Sequence, residues 1–384
     1  MVFCLPPQFS TIKSVKKDQP VVWHRFVFLA FAGVSVLTGL TAALALLGYL
    51  GGTRAATLAA DHGPLMIFGF VGGAIGLERT VAVRTRWAWA GPVCSALGVV
   101  TLLAGLPVAV PALLFTGSFL LLGLVYATVH RRQATAAVIA QAAGVIGAVS
   151  ATLLWGFGDG GFAAAMPPAV VFVVATIIGE RLELARIPVT AGNPEPLITG
   201  LVLALAAAGI LFVAAPEVGH PLMGLLLVAV AVVTARVDVA RRLVRAQGLP
   251  RFSAVCMLAG YAWAAVVAAT WLTSGAVHDG ASYDAVVHAV FLGFTMSMVM
   301  AHAPVILPAV AGIRLDFHWA MWLPAGLLQV SLVVRLWLGD ALGSGLAHTV
   351  GGVLNVVAVL SFFLVVLGAA ALRTAPPVPA GARP

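Results

Sequence analysis

Two of the nine histidines, His62 and His288, each begin a stretch built alike: His62-Gly-Pro-Leu-Met-Ile-Phe-Gly-Phe70 and His288-Ala-Val-Phe-Leu-Gly-Phe294. Ionisable side chains inside apolar segments are costly and mark functional candidates. Two imidazoles from different segments, each followed by glycine and phenylalanine on later turns, meet the demands of a b-type haem. Axial nitrogens must approach opposite faces of one planar macrocycle, small residues must leave it room, and aromatics pack on it. Arg54 and Arg335 are the candidates for its propionates, because a guanidinium pairs with a carboxylate through charge-assisted bonds. The plainer alternative is that each histidine bonds a neighbouring helix and each arginine is an interfacial anchor. No Cys-x-x-Cys-His occurs, which excludes covalent c-type attachment.

A second polar set ends other segments, where Gly76-Leu-Glu78-Arg79 and Gly179-Glu180-Arg181-Leu-Glu183 look like variants of one element. Glu180 and Glu183, three apart, share a helix face. Glu78, Glu180, Glu183 and His302 are the candidate catalytic group, fit to relay protons, contact substrate or, at His302, bind a second metal. Alternatively each Glu–Arg pair neutralises itself as a helix-end anchor. His288 and His302 stand 14 residues apart, about 21 Å along a helix, so the two polar sets belong to opposite sides of a membrane. His318 and Asp316 join the second set only if their loop folds inward. Met296, Met298 and Met300 suggest a copper path or, as methionine commonly is, bundle filler. His24, His130, His220 and His278 sit beside loops and read as solvated.

Membrane helices must position these groups. The chain has 384 residues, 61% hydrophobic and only 9% charged, with a mean hydropathy of +1.08, where a soluble domain has about a quarter of its residues charged. That excludes an ordinary soluble enzyme. The apolar runs are continuous rather than alternating, so helices are expected and a β-barrel is not. They fall near 25–49, 62–83, 87–106, 109–129, 134–157, 165–185, 197–215, 220–237, 252–273, 284–306, 318–338 and 346–371. With the N-terminus in the cytoplasm, all of the 21 Lys and Arg except Arg54 and Arg335 fall on the inner side. The expectation is an all-α polytopic membrane protein of twelve transmembrane helices with both termini cytoplasmic. It divides into a cytoplasmic tail at 1–20, a transmembrane domain at 21–373 and a disordered tail at 374–384. The net charge of +8 is spread along the chain, so it reads as topology and not as a nucleic-acid footprint. Cys4, Cys94 and Cys256 are dispersed and make no disulfide framework.

The opening His62-Gly-Pro-Leu-Met66-Ile-Phe68 resembles the histidine-bearing second helix of haem-copper oxidase catalytic subunits. The stretch His288-Ala-Val-Phe-Leu-Gly-Phe-Thr-Met-Ser-Met-Val-Met resembles more closely the NnrS family of twelve-helix, haem- and copper-containing bacterial membrane proteins associated with nitric oxide stress. The likeness is local to the second and tenth spans. It implies an oxidase-like bundle, haem b on His62 and His288, and copper as a further metal. The departures are specific: the sixth span carries Glu180 and Glu183 where an oxidase has a copper histidine, the seventh has no histidine, and His288 has no partner two positions away. An oxygen-reducing haem-copper centre is therefore not expected.

Two functions follow as expectations. The first is a haem protein of a bacterial-type inner membrane, in nitric oxide response or electron transfer, an oxidoreductase if an enzyme. Its partners would be the lipid bilayer, an electron-donor protein or quinol, and a small ligand such as nitric oxide, with no nucleic acid. The second is a proton-coupled secondary transporter of a small solute, whose two six-helix halves should echo the second span in the eighth. The eighth does open with His220-Pro-Leu-Met223, but the Glu-Arg elements recur in the second and sixth spans, which favours a four-helix period.

Overall fold

The computed structural model describes residues 23–184, 194–312 and 315–374. The predicted tails lie outside these residues, except that Thr374 still belongs to the last helix. Among the described residues there is no strand. Eleven helices of the described residues are long and apolar enough to cross a membrane, and a twelfth apolar helix is shorter; the protein is a polytopic all-α membrane protein. The helices are α1 (Trp23–Leu46), α2 (His62–Val83), α3 (Trp87–Leu103), α4 (Ala109–Arg132), α5 (Ala136–Phe157) and α6 (Gly161–Leu184). They continue with α7 (Glu195–Ala214), α8 (Pro216–Val237), α9 (Leu249–Ser274), α10 (Gly280–Ala311), α11 (Trp319–Ala341) and α12 (Gly345–Thr374). The short one is α3, where the apolar run at 87–106 was expected; it begins with a 3₁₀ turn, Trp87–Trp89.

Each helix packs on the next, and α12 returns against α1, so the ring closes. α6 and α10, the most enclosed, touch each other inside it, and α2 reaches α10 as well. Without a hydrophobic drive between helices in lipid, such contacts depend on close approach and buried hydrogen bonds. The α5–α6 pair shows both devices. A Cβ at Gly147 would lie 2.5 Å from the Pro168 carbonyl oxygen and one at Gly179 2.8 Å from that of Ala137. The glycines let the two backbones touch. Next to them the Thr116 and Thr152 hydroxyls join α4 to α5 at 2.7 Å.

Three helices change winding. Leu65–Gly72 of α2, Ala289–Met296 of α10 and Val333–Ala341 of α11 are π-helical. Such wide turns are rare and cluster at functional sites. Here the first begins three residues after His62, the second directly after His288, and the third contains Arg335.

Candidate functional site: a histidine slot and a carboxylate cavity

His62 and His288 line one cleft between α1, α2, α10, α11 and α12. Both imidazoles are held by Nδ1. His62 Nδ1 lies 2.8 Å from the Gly39 carbonyl oxygen, and His288 Nδ1 lies 3.0 Å from that of Asp284. A carbonyl can only accept, so each Nδ1 carries the hydrogen, and in the neutral form of either ring the lone pair is on Nε2. This is the usual second-layer arrangement behind a metal-binding histidine. Gly39 serves twice, since a Cβ there would fall 2.6 Å from the Met66 sulfur, and Met66 lines the cleft.

The cleft is narrow, with about 60 Å³ of open volume. Its walls are apolar, with Phe70, Phe291 and Met296 among them. Two donors break that lining. Arg335 gives its Nε and one terminal nitrogen to the Asp284 carboxylate at 2.8 and 2.7 Å, and its Nη1 lies over Gly352, where a Cβ would be 3.2 Å away. Asn355 accepts from Ser331 at 2.6 Å, while its amide nitrogen is buried without a partner. The donor set, two imidazoles with a guanidinium and an amide beside them, fits a metal cofactor that bears carboxylates.

At the other end of α2, α6 and α10 a cavity of about 760 Å³ is lined by Glu78, Arg79, Glu180, Arg181, Glu183 and His302. Arg79 holds all three carboxylates, Glu78 at 2.9 Å and Glu180 and Glu183 at 3.0 Å each. Gln141 donates to Glu183 as well, at 3.0 Å. Arg181 turns away from the glutamates beside it and binds Asp238 through two nitrogens at 3.1 and 2.8 Å. Tyr261 donates its hydroxyl to that carboxylate at 2.7 Å and Ala240 its N–H at 2.9 Å. Burial pushes the Asp238 carboxyl upward, but the Arg181 hydrogen bonds and charge, with the Ala240 and Tyr261 bonds, outweigh it and hold the group below its usual range.

The chain belongs to the family of the domain of unknown function DUF8744. Its model matches residues 25–371, which takes in both sites. No curated protein matches the chain.

The structure thus brings His62, His288 and Arg335 together at one end and Glu78, Glu180, Glu183 and His302 at the other. The side chain of Arg54 lies outside the described residues. His302 donates from Nδ1 to the Met298 carbonyl at 2.7 Å, and its Nε2 faces an Arg181 nitrogen at 3.3 Å. Arginine has only donors, so the lone pair a second metal would need is already used. Met296, Met298 and Met300 are buried, and Met296 lines the slot. His318 and Asp316 are exposed and do not line the cavity.

The self-neutralising reading holds only for Glu78 with Arg79, because Glu180 and Glu183 cross to the arginine of α2. The solvated reading fails for His220. It is fully buried, donates to the Pro216 carbonyl at 3.0 Å, and meets Phe212 edge-on with ring centres 4.7 Å apart. The helix starts at Pro216, four residues before the apolar run suggests, and so carries His220 inward. Asp238, Tyr261, Asn355, Asp284, Asp340 and His348 were not among the expected site residues. Of these Asp284 had a signal, one helical turn before His288.

Proposed function

We propose that this chain is a haem-binding integral membrane protein of NnrS-like type, with haem b held by His62 and His288. It acts in nitric oxide response or electron transfer in a bacterial-type inner membrane. The observation that carries the reading is the pair of imidazoles lining one narrow cleft, each with Nδ1 tied to a backbone carbonyl and Nε2 left to ligate. Haem, when bound, would supply reversible one-electron chemistry. The residues do the rest. Gly39 and Asp284 orient the rings, Arg335 Nη1 and the Asn355 amide are donors for propionates, and Phe70 and Phe291 keep water from the faces. An electron donor, protein or quinol, and a small ligand such as nitric oxide are the partners of this reading, with copper as a further metal. The glutamates around Arg79 would then hold protons taken from the opposite side.

A reduced-minus-oxidised visible spectrum of the detergent-purified chain tests it. Sharp low-spin bands are expected, lost in both His62→Ala and His288→Ala while the protein stays in the membrane. Full haem occupancy in either variant would overturn the ligand assignment. The carboxylate cavity favours one rival, a proton-coupled transporter of a small solute, since about 760 Å³ is room for a solute beside titratable groups. That rival requires colourless protein and pH-gradient-driven uptake lost on Glu180→Gln.

A further inference from the structure

Beyond the slot, α10, α11 and α12 bring a third group of ligating side chains together. Asp284, Asp340 and His348 each place one ligand atom within 4.8 Å of the other two. The winding of α11 is what allows it. Asp340 follows Arg335 by five residues, which in an α-helix is about 140° around the axis. The i→i+5 bonding of the π-helix Val333–Ala341 brings it back towards the same face. On α12, His348 is pressed close: a Cβ at Gly339 would meet the His348 backbone at 2.6 Å. Its Nδ1 lies 2.7 Å from Asp340 Oδ1, a separation that suits a hydrogen bond and equally two neighbouring ligands of one ion.

Valence leaves the group incomplete. Arg335 pairs with one of the two carboxylates, Asp284, and the other, Asp340, meets the imidazole of His348. A carboxylate has about four acceptor sites. Arg335 takes two on Asp284, and His288 Nδ1 stands 3.1 Å from one of its oxygens, which leaves room for one more partner. The Asp340 side chain is 8% exposed, and its Oδ2 is buried with no hydrogen-bond partner. His348 is a third exposed, so an ion and its waters have a way in.

We propose that Asp284, Asp340 and His348 form a binding site for a divalent transition-metal ion, separate from the histidine slot. Two carboxylates and one imidazole suit manganese(II) or zinc(II) better than a soft ion. The inference does not depend on haem, because neither slot Nε2 takes part. It adds a metal whose ligand Asp284 also holds His288 and Arg335, so the ion would stiffen the mouth of the slot.

The test is titration of the chelator-treated, detergent-purified chain with manganese(II), followed by electron paramagnetic resonance. Asp340→Asn and His348→Ala are the variants, and Asp284 is kept because it also anchors the slot. One equivalent of bound ion is expected, competed by zinc(II) and weakened at least about tenfold in each variant, with any haem bands unchanged. A variant-free check is nitrogen coupling to the bound ion, which His348 must supply. Binding below one equivalent, wild-type affinity in either variant, or bound ion without nitrogen coupling would each overturn the site.

Discussion

Replacing Asp238 by alanine should cost more than the loss of any exposed ion pair. The side chains of Arg181 and Asp238 are 7% and 1% exposed, and the carboxylate receives two guanidinium bonds, the Tyr261 hydroxyl and the Ala240 N–H. Asp238→Ala leaves an enclosed guanidinium without the carboxylate that binds it, beside His302 and Tyr261. Breaking one side of such a buried pair costs about 3–5 kcal/mol, mainly for the stranded charge. An exposed pair would give about 0–1 kcal/mol. Removing both charges in Arg181→Met with Asp238→Ala should recover most of the loss, since no charge is then left buried. Unfolding of the purified chain by titrated sodium dodecyl sulfate in mixed micelles, followed by helical circular dichroism, reads all three proteins on one scale. A cost below about 1 kcal/mol for Asp238→Ala, or a double variant no better than the single one, would refute the reasoning.

The depressed Asp238 carboxyl also sets a sign for pH. Its stabilisation is fully present above the unfolded value of 3.8 and is lost as pH falls through the lower folded value, so an acid titration of stability should steepen below pH 3.8 in the wild type and less in the double variant. Gly351→Ala should destabilise by about 1–3 kcal/mol in the same assay, because a Cβ there meets the Arg335 backbone at 2.6 Å. Gly76→Ala, with nothing within 4 Å, should be neutral or gain up to about 1 kcal/mol of helix propensity. Arg79→Met should lower the thermal midpoint by stranding Glu78, Glu180 and Glu183 together, and Glu183→Gln in that background should restore part of it.

Those residues were legible in the sequence to very different degrees. Apolar runs are enough to place the helices, because lipid leaves few other solutions. His62, His288, Glu78, Glu180 and Glu183 stand out as ionisable groups in such runs, and their convergence follows from three inner helices. Their partners do not stand out. Arg181 looks tied to the glutamates beside it, yet its counter-ion comes from Asp238 beyond α8, a contact that only packing decides. His220 looks solvated because proline at Pro216 marks a helix start that hydropathy alone puts later. Asp340 and Arg335 cannot be put on one face with a period of 3.6 residues.

That last failure has a common physical cause at the histidine end. A π-helical turn accommodates an extra residue, and each extra residue turns everything before it by about 100° relative to everything after it. In α2 and α10 the turn lies between a histidine at one end and Glu78 or His302 at the other. The facing direction of the slot ligands is therefore set independently of the facing direction of the carboxylate cavity, although the same two helices carry both. A regular helix would fix one from the other. In α11 the same winding places Asp340 with Arg335. The side chains that the π segments re-aim are the ones that could hold a ligand, and this is a physical ground for the haem proposal at that end of the bundle.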